Sequence, residues 1–177
     1  MRLPILEKKS QISKGKIFAT FVKNVYDGDT FTDKNGFHYR LFGIDTPEIK
    51  LNNPGAKVDT WKMKFYATRA KKALEEAILS RWVQVEIVDR DRYQRIVAII
   101  KNEKDETINL NLVFGGFAIA RYGQSENPKG KYYYPKYEKL LLALKKAQDE
   151  AKKNKLNIWE IDINRIYSFG FGRKFVH

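Results

Sequence analysis

Hydrophobic and polar residues alternate over residues 16–25, which predicts a half-buried β-strand. Residues 31–44 predict a hairpin with the turn Asp33-Lys34-Asn35-Gly36, because Asn-Gly favours the tight turns that join two strands. Alternation returns over residues 83–87, and after a polar turn the apolar run 96–100 predicts a partner strand. Together these segments predict a sheet of about five strands.

The apolar residues change to a helical period over residues 59–80, with Asp59 or Thr60 available as the N-cap. A short helix is predicted over residues 107–114, and a longer one over residues 135–154. The predicted strands and helices do not alternate strictly along the chain, and strands are instead grouped before helices. This order predicts an α+β domain.

Composition narrows the possible partners. The chain has 177 residues and a net charge of +13, and it contains no cysteine, which excludes disulfides and thiolate metal sites. We expect one domain over residues 16–160, between an N-terminal extension (1–15) and a basic, aromatic C-terminal tail (161–177). The charge favours nucleic acid or anionic lipid as a partner. Lipid is the weaker candidate, because no apolar run approaches the roughly 20 residues that span a bilayer.

Two acidic clusters are candidates for a metal site. Asp29 lies in Asp-Gly-Asp-Thr, and Asp45 opens Asp-Thr-Pro-Glu after a predicted strand. Two carboxylates, supplemented by backbone carbonyl oxygens and water, suit Ca²⁺, which takes about 6 to 8 oxygen ligands. Taken separately, each cluster is equally well explained as a turn, and only their joint occurrence favours a metal site.

Three further residues are candidates for catalysis. Glu48 follows Pro47, and it is placed to hold a water next to the metal and accept its proton. Arg40 and Arg95 are candidates to clamp a phosphate, because guanidinium offers paired donors for two phosphoryl oxygens. Taken alone, a residue of each of these types is more often an exposed surface residue without a catalytic role. This alternative applies especially to Arg95, which lies in a charged turn.

Tyr93 and Tyr122 are candidates to stack on a base or to lie against a sugar, with Arg92 and Arg121 beside them for backbone phosphates. Aromatic residues are more often part of a hydrophobic core, so this interpretation depends on their exposure.

Four segments together resemble the staphylococcal nuclease (thermonuclease) family. They are Asp-Gly-Asp-Thr (27–30), Arg-Leu-Phe-Gly-Ile-Asp-Thr-Pro-Glu (40–48), Asp-Arg-Tyr-Gln-Arg (91–95) and Lys-Leu-Asn-Ile-Trp (155–159). The resemblance implies an OB-type five-stranded β-barrel with about three helices. It also implies calcium-dependent hydrolysis of DNA and RNA that leaves 3′-phosphate ends.

The same resemblance implies a role for each matching residue. Asp29, Asp45 and the carbonyl of Thr46 would bind Ca²⁺, Glu48 would orient the attacking water, and Arg40 and Arg95 would contact the scissile phosphate. The nucleotide side of the site would fall near Arg92, Tyr93 and Tyr122. By family habit we expect a secreted or cell-surface protein whose signal segment has been removed. The periodicity suggests no partner helix, so we expect a monomer without an obligate protein partner.

One departure from the family pattern concerns Arg95. The residue before this arginine is usually glycine and is Gln94 here, so the turn that directs Arg95 is expected to differ, because only glycine takes positive φ freely.

Two other functions compete with the nuclease interpretation. The first is a nucleic-acid-binding module of the same fold without catalysis, but a pure binder gains nothing from crowded carboxylates that repel a polyanion. The second is a histidine-dependent or two-metal phosphodiesterase, for which the sequence lacks a third convincing acidic motif and a pair of neighbouring histidines.

Overall fold

A computed structural model of the chain describes Pro4, residues 12–50 and residues 57–167. The strands of this part of the chain are β1 (Ile17–Val25), β2 (Thr30–Asp33), β3 (His38–Leu41), β4 (Ile44–Asp45), β5 (Trp82–Arg90), β6 (Ile96–Lys101) and β7 (Ile119–Ala120). The α-helices are α1 (Thr60–Ile78), α2 (Ile108–Phe114) and α3 (Glu138–Lys153). Single 3-10 turns lie at Pro135–Tyr137, Asn157–Glu160 and Ile163–Arg165.

Five strands close into a barrel in the order β1-β2-β3-β6-β5. The β3–β6 pair is parallel, and the other pairs of the barrel are antiparallel. Aromatic and branched side chains fill the interior, and Phe18, Phe31 and Tyr39 are completely buried. The α+β class and the five-stranded OB-type barrel with three helices are therefore confirmed.

The predicted hairpin over residues 31–44 is wrong at its end. Its second strand stops at Leu41, and Gly43 adopts a φ of 75°, a conformation that glycine reaches without steric cost. The chain turns there, so that Ile44 and Asp45 form β4 and pair with β7 outside the barrel. Asp45 is thus carried on a small second sheet, close to the barrel strand that carries Arg40.

Helix α1 packs beside this second sheet. Asp59 caps the helix by accepting a hydrogen bond from the Lys62 backbone N–H at 3.1 Å, as the sequence indicates. A hydrophobic cluster outside the barrel joins α1, β7 and the chain after α3, and its buried members are Met63, Tyr66, Ile119, Ile158, Ile163, Ile166 and Tyr167. The first residues of the predicted tail therefore pack into the fold.

The ends of the predicted domain division lie largely beyond the described residues. In the predicted extension, the carbonyl of Pro4 accepts a hydrogen bond from the Ala19 N–H at 2.8 Å, and residues 1–3 and 5–11 are outside the description. Residues 168–177 of the predicted tail are also outside it. Helices long and apolar enough to cross a bilayer are absent from the described part of the chain.

Candidate active site

The approach to β2 fixes the position of Asp29. Its backbone N–H donates to Asp27 Oδ1 at 3.0 Å, which closes a tight turn around Gly28. Gly28 is in close contact, because a Cβ at this position would lie 2.6 Å from the Ala70 Cβ and 2.8 Å from the Thr46 Cγ2. The turn therefore presses against both α1 and the segment that follows β4.

Thr46 binds the Asp29 carboxylate directly. Its backbone N–H and its hydroxyl each donate to Asp29 Oδ2 at 3.0 Å, and Thr30 Oγ1 donates to Asp29 Oδ1 at 3.1 Å. The Asp29 carboxylate is thus oriented by neighbours on both sides, and the residue is only 4% exposed.

Arg40 joins the two acidic clusters. From β3, its guanidinium forms ion pairs with Asp29 through Nη1 and with Asp45 through Nη2, the second at 2.8 Å. Asp45 receives a further ion pair at Oδ2 from Arg121 Nη1, also at 2.8 Å, and its backbone carbonyl accepts a hydrogen bond from the Tyr167 hydroxyl at 2.9 Å. Asp45 is 7% exposed, so these charges meet where solvent screens them weakly.

The crowding of buried charge affects proton binding. Burial raises the pKa of Asp45, opposed first by the positive charge of Arg40, and the negative charge of Asp29 adds to the increase. Burial disfavours the charged form of Arg40, but the attraction of Asp29, Asp45 and Asp27 outweighs it and raises the guanidinium pKa further. Burial, followed by the charge of Asp29, raises the pKa of Asp27 to about 6. The carboxylates together therefore favour a bound cation.

Glu48 lies at the open side of this group. Its side chain is exposed, yet partial desolvation, followed by the charges of Asp29, Asp27 and Asp45, raises the pKa of Glu48 to about 7. A carboxyl group with a pKa near neutrality can accept and release a proton at the pH at which most enzymes work.

Arg95 reaches the group from the turn between β5 and β6. Its Nε donates to Asp91 Oδ2 at 2.6 Å, and its Nη1 lies 3.4 Å from Thr30 Oγ1, which in turn binds Asp29. The turn keeps the positive φ expected of a glycine, because Gln94 itself has a φ of 64°. The expected change in the turn is therefore not found at this residue, and glutamine instead adopts the left-handed conformation, which is uncommon for a residue other than glycine.

Two exposed tyrosines lie beside the two arginines. Tyr93 is 64% exposed and lies 5.4 Å from the Arg95 guanidinium, while its hydroxyl accepts a hydrogen bond from Arg92 Nη2 at 2.7 Å. The Tyr122 ring is 37% exposed, with the guanidinium of Arg40 at 6.0 Å and that of Arg121 at 4.7 Å. Their exposure makes both rings available for stacking.

The predicted residues thus meet in one place. Contacts link most of them, and these residues are Asp29, Arg40, Asp45, Thr46, Arg92, Tyr93, Arg95 and Tyr122. Glu48 is related to them electrostatically, because the charges of Asp29, Asp27 and Asp45 help to raise its pKa. Sequence reasoning did not identify the bridging role of Thr30, which its motif could have indicated. It also missed the contacts of Arg121 and Tyr167 with Asp45, for which the sequence carries no local signal.

The donor set suits a hard cation. Asp29, Asp45 and the backbone around Thr46 offer only oxygen atoms, which Ca²⁺ and Mg²⁺ prefer. Among the residues described, no group of three or more His, Cys, Asp and Glu side chains is arranged to hold a metal ion. The carboxylates of Asp29 and Asp45, which Arg40 now joins, are the candidates to bind a cation.

Comparison with known proteins shows the family of this chain. The family model described as "Staphylococcal nuclease homologue" matches residues 38–161. A thermonuclease of Staphylococcus intermedius is 32% identical over 160 residues, which cover 87% of this chain and 82% of that protein. An uncharacterized endonuclease of Haemophilus influenzae is 30% identical over 111 residues, which cover 60% of this chain and 54% of that protein. The chain belongs to the family of staphylococcal nuclease homologues.

Proposed function

We propose that this protein is a calcium-dependent nuclease that hydrolyses phosphodiester bonds of DNA and RNA and leaves 3′-phosphate ends. The observation that carries the proposal is the bridge that Arg40 makes between Asp29 and Asp45, beside the exposed Glu48. The names of the two relatives, a thermonuclease and an endonuclease, support the same reaction class.

In this proposal Asp29, Asp45 and the Thr46 carbonyl would hold Ca²⁺, a cation that prefers oxygen ligands. A bound cation of this kind polarises a phosphoryl oxygen and lowers the pKa of a coordinated water. The residues around the carboxylates support this role, because Thr46 and Thr30 fix the orientation of Asp29 before any ligand arrives.

Glu48 acts as the general base. It accepts a proton from the water that attacks the phosphorus, and the bond from phosphorus to the 5′ oxygen breaks. The 5′ oxygen leaves with the electron pair of that bond and takes up a proton from solvent water, and the phosphate remains on the 3′ oxygen. The exposed position of Glu48 at the edge of the buried carboxylates gives water access to it. No covalent enzyme intermediate is required.

Arg40 and Arg95 stabilise the charge that develops on the phosphoryl oxygens. Arg40 pairs with Asp29, and Arg95 is connected to Asp29 through Thr30. This shared link to one carboxylate supports a role for both guanidinium groups at one phosphate. Arg92, Tyr93 and Tyr122 then contact the neighbouring nucleotides through their cationic and aromatic surfaces.

Cleavage assays on single-stranded DNA and on RNA test the proposal, with Ca²⁺ and with excess chelator. We expect calcium-dependent cutting by the parent and its loss in Glu48→Gln, which keeps the shape of the side chain but cannot accept the proton. Glu103→Gln, in an exposed turn after β6, is the matched control and should cut like the parent. Salt-sensitive binding of nucleic acid without calcium-dependent cutting would contradict the proposal and favour a binding module.

A further inference from the structure

Both oxygen atoms of the Asp45 carboxylate are bound by arginines. Arg40 Nη2 lies 2.8 Å from Oδ1, and Arg121 Nη1 lies 2.8 Å from Oδ2. The side chains are 13% exposed for Arg40, 25% for Arg121 and 10% for Asp45, so solvent screens this cluster only partly. Arg40 also forms an ion pair with Asp29.

The backbone around β7 positions Arg121 independently of its ion pair. β7 pairs with β4, and the Arg121 N–H extends that pairing by donating to the Gly43 carbonyl at 2.9 Å. The Ala120 N–H donates to Gln148 Oε1 at 2.9 Å, which ties the strand to α3. Tyr122, with a φ of 61°, places its ring 4.7 Å from the Arg121 guanidinium. Arg121 is therefore held in place before any ligand binds.

We propose that Arg121 is a positioning residue that weakens the affinity of the Asp29–Asp45 pair for a divalent cation. The inference rests on the proposed function, in which these carboxylates hold Ca²⁺. A guanidinium on Oδ2 places a positive charge within a few ångströms of the space that the cation must enter, and like charges repel more strongly where solvent is scarce. It also competes for carboxylate lone pairs that the cation would use.

The consequence is that the charges of Asp29 and Asp45 themselves are matched in the absence of a cation. Their two carboxylates face the guanidinium groups of Arg40 and Arg121, so the negative charge left to attract a cation comes from the neighbouring Asp27 and Glu48. Arg121 thus reduces the attraction that the site exerts on a cation, and the occupancy of the site follows the concentration of Ca²⁺ around the protein.

Calorimetric titration with Ca²⁺ in the absence of nucleic acid tests the inference at one pH and ionic strength. Arg121→Gln removes the charge and is expected to bind Ca²⁺ about tenfold more tightly or better. Arg121→Lys keeps the charge and should stay within about threefold of the parent. Arg81→Gln, at an exposed arginine between α1 and β5, is the matched control and should not change the affinity. Arg121→Met is a second charge-removing variant should the glutamine variant fail to fold.

The outcomes separate this inference from the proposed function. If the parent binds no Ca²⁺, the proposed function fails and the inference fails with it. If the parent binds Ca²⁺ and the charge-removing variants bind it equally well or more weakly, the proposed function stands and the inference is overturned. Weaker binding would mean that Arg121 only orients Asp45. Tighter binding by the charge-removing variants, with the lysine variant unchanged, supports the inference.

Discussion

Thr46 donates two hydrogen bonds to a single oxygen of Asp29, one from its backbone N–H and one from its hydroxyl, both at 3.0 Å. Asp29 precedes a barrel strand, and Thr46 follows the small strand that carries Asp45. This one contact therefore fixes the two acidic clusters of the chain relative to each other. The site keeps its geometry because the connection is made by buried, short side chains that have little freedom to rearrange.

Replacing Thr46 by valine tests that connection, because valine keeps the branched shape and the N–H but removes the hydroxyl. We expect the free energy of unfolding in urea to fall by about 1 kcal/mol, the usual contribution of one hydrogen bond. Turnover should fall as well, because Asp29 is less well oriented. Thr46→Ser keeps the hydroxyl and should retain more of the turnover than the valine variant. Equal turnover of the two variants would contradict this role for the hydroxyl.

Gly28→Ala tests the close packing under Asp29. The added carbon would lie 2.6 Å from the Ala70 Cβ and 2.8 Å from the Thr46 Cγ2, so both neighbours must shift. We expect a loss of about 1–3 kcal/mol in the free energy of unfolding, as for other overpacked sites, together with lower turnover because Thr46 moves.

Gly36→Ala is the contrasting variant. Gly36 has a φ of +80° and nothing within 4 Å of an added carbon, so alanine there is strained only through its backbone. We expect a loss of about 1–2 kcal/mol without an effect on turnover. If Gly28→Ala retained full turnover, the packing at Gly28 would not be what positions the site.

Arg40 and Arg95 should differ in their effect on stability. Arg40→Ala leaves the buried carboxylates of Asp29 and Asp45 without their shared partner, so it should destabilise the fold as well as lower turnover on the order of 10²-fold. The side chain of Arg95 is 28% exposed. Arg95→Ala should therefore lower turnover on a similar scale but with a smaller loss of stability. Arg69→Ala, at an exposed ion pair with Glu160, serves as the control. Unfolding and single-turnover cleavage measured on the same samples distinguish the two effects, and near-parental turnover of Arg40→Ala would contradict its assignment.

Hydrophobic periodicity and turn-forming residues predicted most of the barrel and all three helices. The signal is clearest in β1, β5, α1 and α3, because each of these elements buries one face of a regular repeat. The same reasoning extended the hairpin to Ile44, since an apolar residue after Gly43 looks like a continuation of the strand. Strands β4 and β7 are two residues each, too short for any periodicity to show. Their pairing depends on the φ of Gly43, which a sequence does not display.

The candidate site was predictable to the extent that its residues are close in sequence. Asp29, Arg40, Asp45 and Glu48 lie within one short stretch, and their motif resembles that of a known family. The partners of Asp45 that were missed come from far along the chain, Arg121 at a separation of 76 residues and Tyr167 at 122. No local pattern marks such contacts, because they depend on how β7 and the chain after α3 pack onto the barrel.

Gln94→Gly tests the strain at the turn that carries Arg95. A non-glycine residue in the left-handed region costs about 1–2 kcal/mol, and glycine relieves this strain. The greater conformational freedom of glycine in the unfolded chain offsets about 0.4–1 kcal/mol of the resulting stabilisation. We therefore expect the glycine variant to unfold at a slightly higher urea concentration, with turnover close to that of the parent. Gln94→Ala, which keeps the Cβ but loses the hydrogen bond from Arg90, should not be stabilised. A destabilised glycine variant would show that the bond from Arg90 outweighs the strain.

Asp89 gives the fold a pH-dependent contribution near the loop that leads to α3. Desolvation alone would raise its pKa, but the ion pair with Lys14 at 2.8 Å and hydrogen bonds from the Arg90 N–H and the Tyr134 hydroxyl lower it below its usual range. Because the folded-state pKa is depressed, the contribution is fully present above the unfolded value of about 3.9 and is lost as the pH falls through the folded value. Asp89→Asn should therefore reduce the free energy of unfolding by about 0.5–1 kcal/mol at pH 7, on the scale of solvent-screened ion pairs.

That difference between parent and Asp89→Asn should shrink steadily when urea unfolding is repeated below pH 4 at constant ionic strength. Asp105→Asn is the control, because Asp105 pairs with Lys101 at 2.8 Å in a position where its side chain is 79% exposed. An ion pair this exposed contributes little to the free energy of unfolding at any pH. Asparagine also adopts the φ of 62° at this position with little strain. A gap between parent and Asp89→Asn that stayed constant from pH 7 to pH 3 would show that Asp89 acts through its hydrogen bonds in either protonation state, and not through its charge.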